Sequence, residues 1–297
     1  MKETHYSRIE QKIDSFPALP STVAEVMDVV NNPEGSAKEL TQAVLPDQSM
    51  CIAILKIANS ALYGMPKKVS SLERAITILG FDEIQSIVLS KSVMNNFGEV
   101  FQQNNATIQN FWDHSFTCAL AARVVAEHFN LSAPGRFFIG GLIHDIGKLA
   151  MLLTFPQEYD AEKWLEGFSS KEKLMEEQQT FTITHAEVGG RLLQKWNFPN
   201  SLIKGLQFHH TPEEGTAKNG FPLILQLADA LSFICCNYAK EDVEGRLENE
   251  IETLTPGIAA LWDEHKLPWE RLRLEMWYNW VNIERAHGSS ILSILTS

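Results

Sequence analysis

No apolar run in these 297 residues approaches the roughly 20 that a bilayer-spanning helix needs, and the opening MKETHYSRIEQKI has none of the apolar core of a secretory signal. Those two absences predict a cytoplasmic protein that makes no use of a membrane. Cysteine is scarce: Cys51, Cys118, Cys235 and Cys236 have neither zinc-finger spacing nor the density of a disulfide scaffold, so they read as buried thiols. Basic residues are in the minority, 25 Lys and Arg against 37 Asp and Glu, for a formal net charge of -12. That balance excludes a large nucleic-acid footprint, because phosphate binding is driven by clustered Lys and Arg. Much of the acidity falls in KEKLMEEQQ (171–179) and AKEDVEGRLENEIE (239–252), which read as solvated helix faces needing no partner. Also missing are a Walker-type GxxxxGK loop, a Rossmann GxGxxG element, an alternating strand of any length and an Asn-Gly hairpin between apolar runs.

What is present is helical periodicity almost from end to end. In STVAEVMDVVNN, Ser21 or Thr22 can cap a helix whose Val23, Val26, Met27 and Val30 recur at the i, i+3, i+4 spacing of one buried stripe. Pro46 stops one element and Asp47 is placed to cap the next, with Ile52, Leu55, Ile57 and Ala58 following and Gly64 ending it. SSLERAITILG runs from a cap at Ser70 or Ser71 to a terminating Gly80, with Leu72, Ala75, Ile76 and Leu79 inward. Near the C-terminus Thr255-Pro256 reads as a cap with Pro at the first helical position, and Leu272, Met276, Trp280 and Ile283 fall on one stripe of the last helix. Trp262, Trp269, Trp277 and Trp280 are expected to pack back onto the core. The fold class is all-α.

The chemistry rides on helices in the second half. His144 and Asp145 interrupt GLIHDIGKLAMLLTF, an otherwise apolar segment that marks a central helix, and adjacent imidazole and carboxylate groups can enter one metal coordination sphere. His114 shares a helical stripe with apolar residues, Thr184 and Glu187 have capping-box spacing that leaves His185 in a first helical turn, and His209-His210 follow. Asp229 sits among Leu225, Leu227, Leu231 and Ile234, where a carboxylate is costly unless it is paired or bound to a cation. One such histidine is an ordinary core residue; the set together points to metal. His5, His128, His265 and His287 lie in terminal, polar or helix-end surroundings and receive no role.

The order His114, His144-Asp145, Asp229 resembles the HD superfamily of metal-dependent phosphohydrolases, whose motif is H…HD…D on a helical core. In the N-terminal half LPSTVAEVMDVVNNPEGS, the Asp47 region, KIANSALYG and SSLERAITILG resemble the HDOD family, HD-related output domains of bacterial signalling proteins, over about residues 11 to 235. The resemblance implies an HD-domain-like helical core, 106–240, behind an N-terminal helical subdomain, 1–105; about the last sixty residues lie outside it, and their helical periodicity reads as a C-terminal extension, 241–297. HDOD proteins commonly lack some HD metal ligands and are usually viewed as regulatory or scaffolding modules, whereas this sequence keeps them. It adds His185 and His209-His210, which match the extra histidines of dinuclear HD proteins, the HD-GYP phosphodiesterases among them. By that resemblance one cation takes His114, His144, Asp145 and Asp229, and a second shares Asp145 and adds His185, His209 and His210, while Lys148 matches a lysine aimed at a substrate phosphate. On the residues alone Lys148 reads equally as a snorkelling surface lysine.

Imidazole and carboxylate without thiolate favour iron or manganese, with nickel or zinc as alternatives. Two divalent cations in such a site activate water for phosphoester cleavage, and Asp145 would orient that nucleophile. Gly220-Phe221-Pro222 stands further from the histidine doublet than the Gly-Tyr-Pro of HD-GYP enzymes and lacks their acidic, glycine-containing stretch, so it reads as a loop and a helix start. Two functions follow as expectations. One is a signal-transduction phosphohydrolase or phosphodiesterase acting on a nucleotide or cyclic-dinucleotide phosphoester; the other is a non-catalytic module with structural metal and a signalling protein as partner.

Overall fold

The computed structural model describes residues 2–60, 65, 67–98, 106–165, 167–215, 220–269 and 273–296. Among them there are helices and no strand, as the periodicity predicts. The N-terminal helices are α1 (Lys2–Ser15), α2 (Ser21–Asn31), α3 (Ala37–Val44), α4 (Gln48–Ala58), α5 (Leu72–Leu79) and α6 (Phe81–Asn96). Asp47 caps α4 by accepting from Met50 N at 2.9 Å, and Ser71 caps α5. Gly80 ends α5 at φ 82, a left-handed conformation that costs glycine little. Three details differ from the sequence expectation. Helix α2 starts without a side-chain cap behind Pro20, whose ring fixes the entry angle. Helix α4 ends at Ala58 rather than Gly64, which lies outside the described residues, because the Asn59 amide folds back to donate to Leu55 O. Ile52 is 53% exposed, and the buried stripe of α4 is Ala53, Ile54, Ile57 and Ala58.

The second half is built around α7 (Ala106–His128), which packs against α8 (Pro134–Ile143), α14 (Phe221–Asn237) and α18 (Leu274–Thr296). Between these lie α9 (Ile146–Thr154), α10 (Ala161–Leu165), α11 (Lys171–Phe181), α12 (His185–Lys195) and α13 (Asn200–Gln207), with α9 lying on α12 and α12 on α13. The short helices α15 (Lys240–Val243), α16 (Leu247–Leu254) and α17 (Ile258–Glu264) precede α18. Helix α1 docks onto α9, α11 and α12, α6 joins α2 to α8, and α18 touches α4 and α6 as well as α7 and α14. The three sections of the chain therefore share packing surfaces.

The segment 134–154 is not one helix but two. Asp145, at φ -101 and ψ 11, separates α8 from α9, which turns the polar pair into the angle between them. By length and apolar composition Pro134–Thr154 would suffice for a membrane span, which counting unbroken apolar runs overlooks; 89% of its apolar 18-residue window is buried inside the protein, as befits core helices. Two glycines make the angle possible. A Cβ on Gly141 would stand 2.7 Å from Ala119 Cα on α7, and one on Gly147 would run into the His185 carbonyl oxygen, with Gly189 N at 2.7 Å. Replacing Gly147 by alanine is expected to force α9 off α12 and to cost about 1–3 kcal/mol or more, by analogy with overpacked cores. Thermal or denaturant unfolding of the variant measures it, and wild-type stability would refute the close approach.

The C-terminal stripe is out of register with the sequence expectation. Leu274, Trp277, Tyr278 and Val281 are buried, Met276 and Ile283 are 57% and 55% exposed, and Leu272 lies outside the described residues. Apolar residues on several faces made the pattern ambiguous, and packing against α7 chose the other face. Helix α17 also begins later than Thr255-Pro256, at Ile258 behind Gly257 in the left-handed region, while Thr255 closes α16. Trp262, Trp269 and Trp277 do turn inward, with Trp280 half-buried. Of the cysteines, Cys118 and Cys235 are buried and the other two half-buried.

Candidate metal centre

All seven residues selected from the sequence as ligands converge. His114 from α7, His144 at the end of α8 and Asp229 from α14 form one group, while Asp145, His185 of α12 and His209-His210 after α13 form another; within each group the ligand atoms lie within 4.8 Å of one another. Asp145 faces both. Its Oδ2 is 3.3 Å from His144 Nε2, and its Oδ1 is 3.1 Å from His185 Nε2 and 3.7 Å from His209 Nε2. Asp229 Oδ1 lies 3.1 Å from His114 Nε2 and 3.6 Å from His144 Nε2, and His185 Nε2 is 3.1 Å from His210 Nε2. Six of the seven are buried; His114, with its side chain 18% exposed, is the half-open member.

The rings are aimed from behind. His144 Nδ1 is 2.7 Å from Gly141 O and His209 Nδ1 is 2.6 Å from Leu206 O. A carbonyl can only accept, so each Nδ1 carries the proton and each Nε2 is turned to the centre with a lone pair when the ring is neutral. His114 Nδ1 pairs with Ser232 Oγ at 2.9 Å, and His185 Nδ1 with Glu177 Oε2 at 2.8 Å. Three buried atoms, His144 Nε2, Asp145 Oδ1 and His209 Nε2, have no hydrogen-bond partner among the described residues. Buried polar atoms left so are costly, and three of them converging from metal-competent groups fit divalent cations.

Sequence reasoning missed Glu177, which braces His185 in this cluster. It lies in KEKLMEEQQ, expected to be a solvated face, yet it is 1% exposed. Its Oε2 accepts from both His185 N and His185 Nδ1, and Tyr159 donates its hydroxyl to Oε1 at 2.8 Å. The available signal was its place four residues before the buried Phe181, one helical turn along the same stripe.

Burial disfavours charge on every group here, and the neighbours decide the outcome. At His144 burial is outweighed chiefly by the Asp145 carboxylate, which raises the imidazole well above its ordinary value; at His185 it is outweighed by Glu177 and Asp145. Against burial, His144 and Lys148 hold Asp145 well below the usual carboxylate range, and the adjacent His114 and His144 rings do the same for Asp229. Burial lowers His209 and His210, the latter helped by its two histidine neighbours, so both are neutral at pH 7. Raised histidine values mean that the metal-free protein gains stability from those protons below about pH 6.5 and loses that gain as pH rises through the folded values. Cation capture must expel the same protons. Metal affinity is therefore expected to climb roughly tenfold per pH unit for each proton displaced, read by competitive titration between about pH 6 and 8.5. A flat profile would contradict the assignment.

Residues 16–212 match the family model for the HDOD domain. The chain belongs to the HDOD family. An uncharacterized protein of Treponema pallidum (strain Nichols) is 26% identical over 217 residues, covering 69% of this chain and 40% of that protein, so the HDOD chain described here spans less than half the length of that relative. Among solved structures, a protein of Shewanella amazonensis SB2B provisionally named a phosphohydrolase superposes with a TM-score of 0.71 at 21% identity, covering 97% of this chain and 98% of the other. A provisionally named signal transduction protein of Marinobacter aquaeolei VT8 gives 0.70 at 15% identity, over 100% and 66% of the two chains. An HDOD domain protein of unknown function from Geobacter sulfurreducens gives 0.59 at 19%, over 93% and 98%. At these identities the likeness shows the fold alone.

Two clefts flank the HDOD centre. A cavity of about 170 Å³ is lined by His114, Asp229 and Lys148 together with Asp113, Phe168 and Arg285; another of about 470 Å³ reaches His210 and is lined by Ser170, Gln226 and Thr255. Phe168 and Ser169 border both. Lys148 is 3% exposed, which overturns its reading as a surface lysine, and its Nζ donates to Asp145 Oδ2 at 2.6 Å.

Proposed function

We propose that this HDOD protein is a metal-dependent phosphohydrolase with two cation sites sharing Asp145, acting on a nucleotide or cyclic-dinucleotide phosphoester within a signalling pathway. The observation that carries it is the division of the Asp145 carboxylate, Oδ2 toward His144 and Oδ1 toward His185 and His209. His114, His144 and Asp229 would hold one cation and His185, His209 and His210 the other, and this nitrogen and oxygen set suits iron or manganese, with nickel or zinc as alternatives. When bound, such cations supply Lewis acidity to a phosphoryl oxygen and a nucleophile from water. Asp145 orients that nucleophile. Lys148, at the floor of the smaller cleft, turns its ammonium to a phosphate oxygen, and the apolar walls of α8 and α14 keep bulk water from the rear. Residues 106–240 form the metal-binding part in this reading; the part before them reaches the ligand helices through α1 on α9 and α12, and 241–297 is a C-terminal extension.

One observation favours the second reading, a non-catalytic regulatory or scaffold module with structural metal: Lys148 is already engaged by Asp145 at 2.6 Å. The two readings separate on Lys148→Ala in protein reloaded with iron or manganese and assayed against phosphodiesters and nucleotides. The enzyme reading predicts turnover by the wild type and a loss of about 10²–10³ in the variant, the worth of one positioned transition-state donor, at unchanged metal content. No turnover by wild type with either metal would sink it.

A further inference from the structure

The smaller cleft has an aromatic wall that metal chemistry does not need. Phe233 lies one helical turn beyond Asp229 on α14, so the ligand and the ring face the same cleft. Phe168, from the loop between α10 and α11, meets it with ring centroids 5.8 Å apart and planes 59° apart, so a base lying flat on one ring meets the other edge-on, and Tyr238, 38% exposed, follows at 6.2 Å from Phe233. Phe168 and Phe233 are only half-buried although both are apolar. Asn237, a further turn along α14, brings an exposed side-chain amide to the same lining. Across the cleft Arg285 of α18 grips Asp113 through Nε and Nη2 and donates from Nη1 to Cys235 O at 2.7 Å. Those bonds leave one N–H on each terminal nitrogen, since a guanidinium carries five.

We infer that Phe168 and Phe233 form a nucleobase-stacking face beside the metal centre, with Lys148 and Arg285 taking the phosphate of the same nucleotide. The inference rests on the phosphoester reading above and names its substrate class. At about 170 Å³ the cleft is smaller than the roughly 300–1,000 Å³ that encloses a whole drug-sized ligand. It accommodates a phosphoryl group, and the base lies on the aromatic rim instead of inside. Stacking on aromatic faces serves every base, because each has a π-face. Asn237 is the amide placed to discriminate among them. Arg285 lies beyond residues 16–212, so α18 supplies a part of this subsite that the matched region does not contain.

Binding, rather than turnover, tests it. The metal-loaded full chain is titrated by calorimetry with adenosine and guanosine 5′-monophosphate, and with ribose 5-phosphate as the base-free probe. At least one nucleotide is expected to bind about tenfold or more tighter than ribose 5-phosphate, the worth of one stacked base. Phe233→Leu and Phe168→Leu, which keep apolar volume and remove the π-face, are each expected to erase most of that gap while metal content and ribose 5-phosphate affinity stay the same. Should α14 not tolerate the first change, the loop variant decides. Equal affinity of nucleotides and ribose 5-phosphate, no binding of either, or wild-type preference in folded leucine variants overturns the inference. Because no hydrolysis is read, a protein that binds nucleotides through these rings without cleaving any phosphoester would fail the phosphohydrolase proposal and still uphold this one.

Discussion

Replacing Asp145 by asparagine is expected to strip both halves of the centre at once. Among the described residues this carboxylate is the group whose two oxygens face both proposed ligand sets, and an amide offers only one acceptor there. Bound metal should fall from about two equivalents to well under one, and phosphoester turnover by more than the roughly 10²–10³ that one positioned donor supplies. The metal-free protein suffers as well. Lys148 donates to Asp145 Oδ2 from a buried position, and His144 and His185 draw their raised pKa values partly from this carboxylate. Removing one partner from a buried charge pair costs up to about 3–5 kcal/mol, so the variant should melt well below the wild type even in chelator. Asp145→Asn with full metal content would mean that the bridge is misassigned.

Glu177→Gln acts from behind one ligand and should separate the two sites. The amide keeps the volume and can still meet His185 Nδ1 and the Tyr159 hydroxyl, but the negative charge that steadies His185 is gone. Outer partners of metal-bound histidines are typically worth about 10–100-fold in affinity. The expected titration is therefore biphasic: one cation binds as in the wild type, through His114, His144 and Asp229, and the other is weakened by that factor. Equal weakening of both phases would point to general loosening of the fold, and no weakening would remove Glu177 from the site.

The proposed ligands were legible because each violates its surroundings. Asp229 in an apolar helix, His144-Asp145 in an apolar segment and His185 behind a Thr184–Glu187 capping box each pose a burial problem that a cation would solve, and the box forms as expected, both reciprocal bonds present. The converse case was not legible. Glu177 hides in a run of charges, where composition says solvent and only its register with Phe181 says otherwise. The break between α8 and α9 was equally invisible, since the apolar pattern runs on through both helices; the bend goes with the close approach of Gly141 to α7 and of Gly147 to α12, a tertiary effect. Register failed at α18 for a related reason, because Met276 and Ile283 compete with Trp277 and Val281 for the buried face and only packing decides. Arg285 and Phe233 carry no sequence signal of a site at all; the fold brings them to the cleft.

A two-cation centre sharing Asp145 would show itself in metal stoichiometry, measured by plasma emission on protein purified without chelators and reloaded anaerobically with iron or manganese. About two equivalents per chain are expected in the wild type. One equivalent or less after reloading would contradict the shared centre, leaving the histidines as a hydrogen-bonded core network.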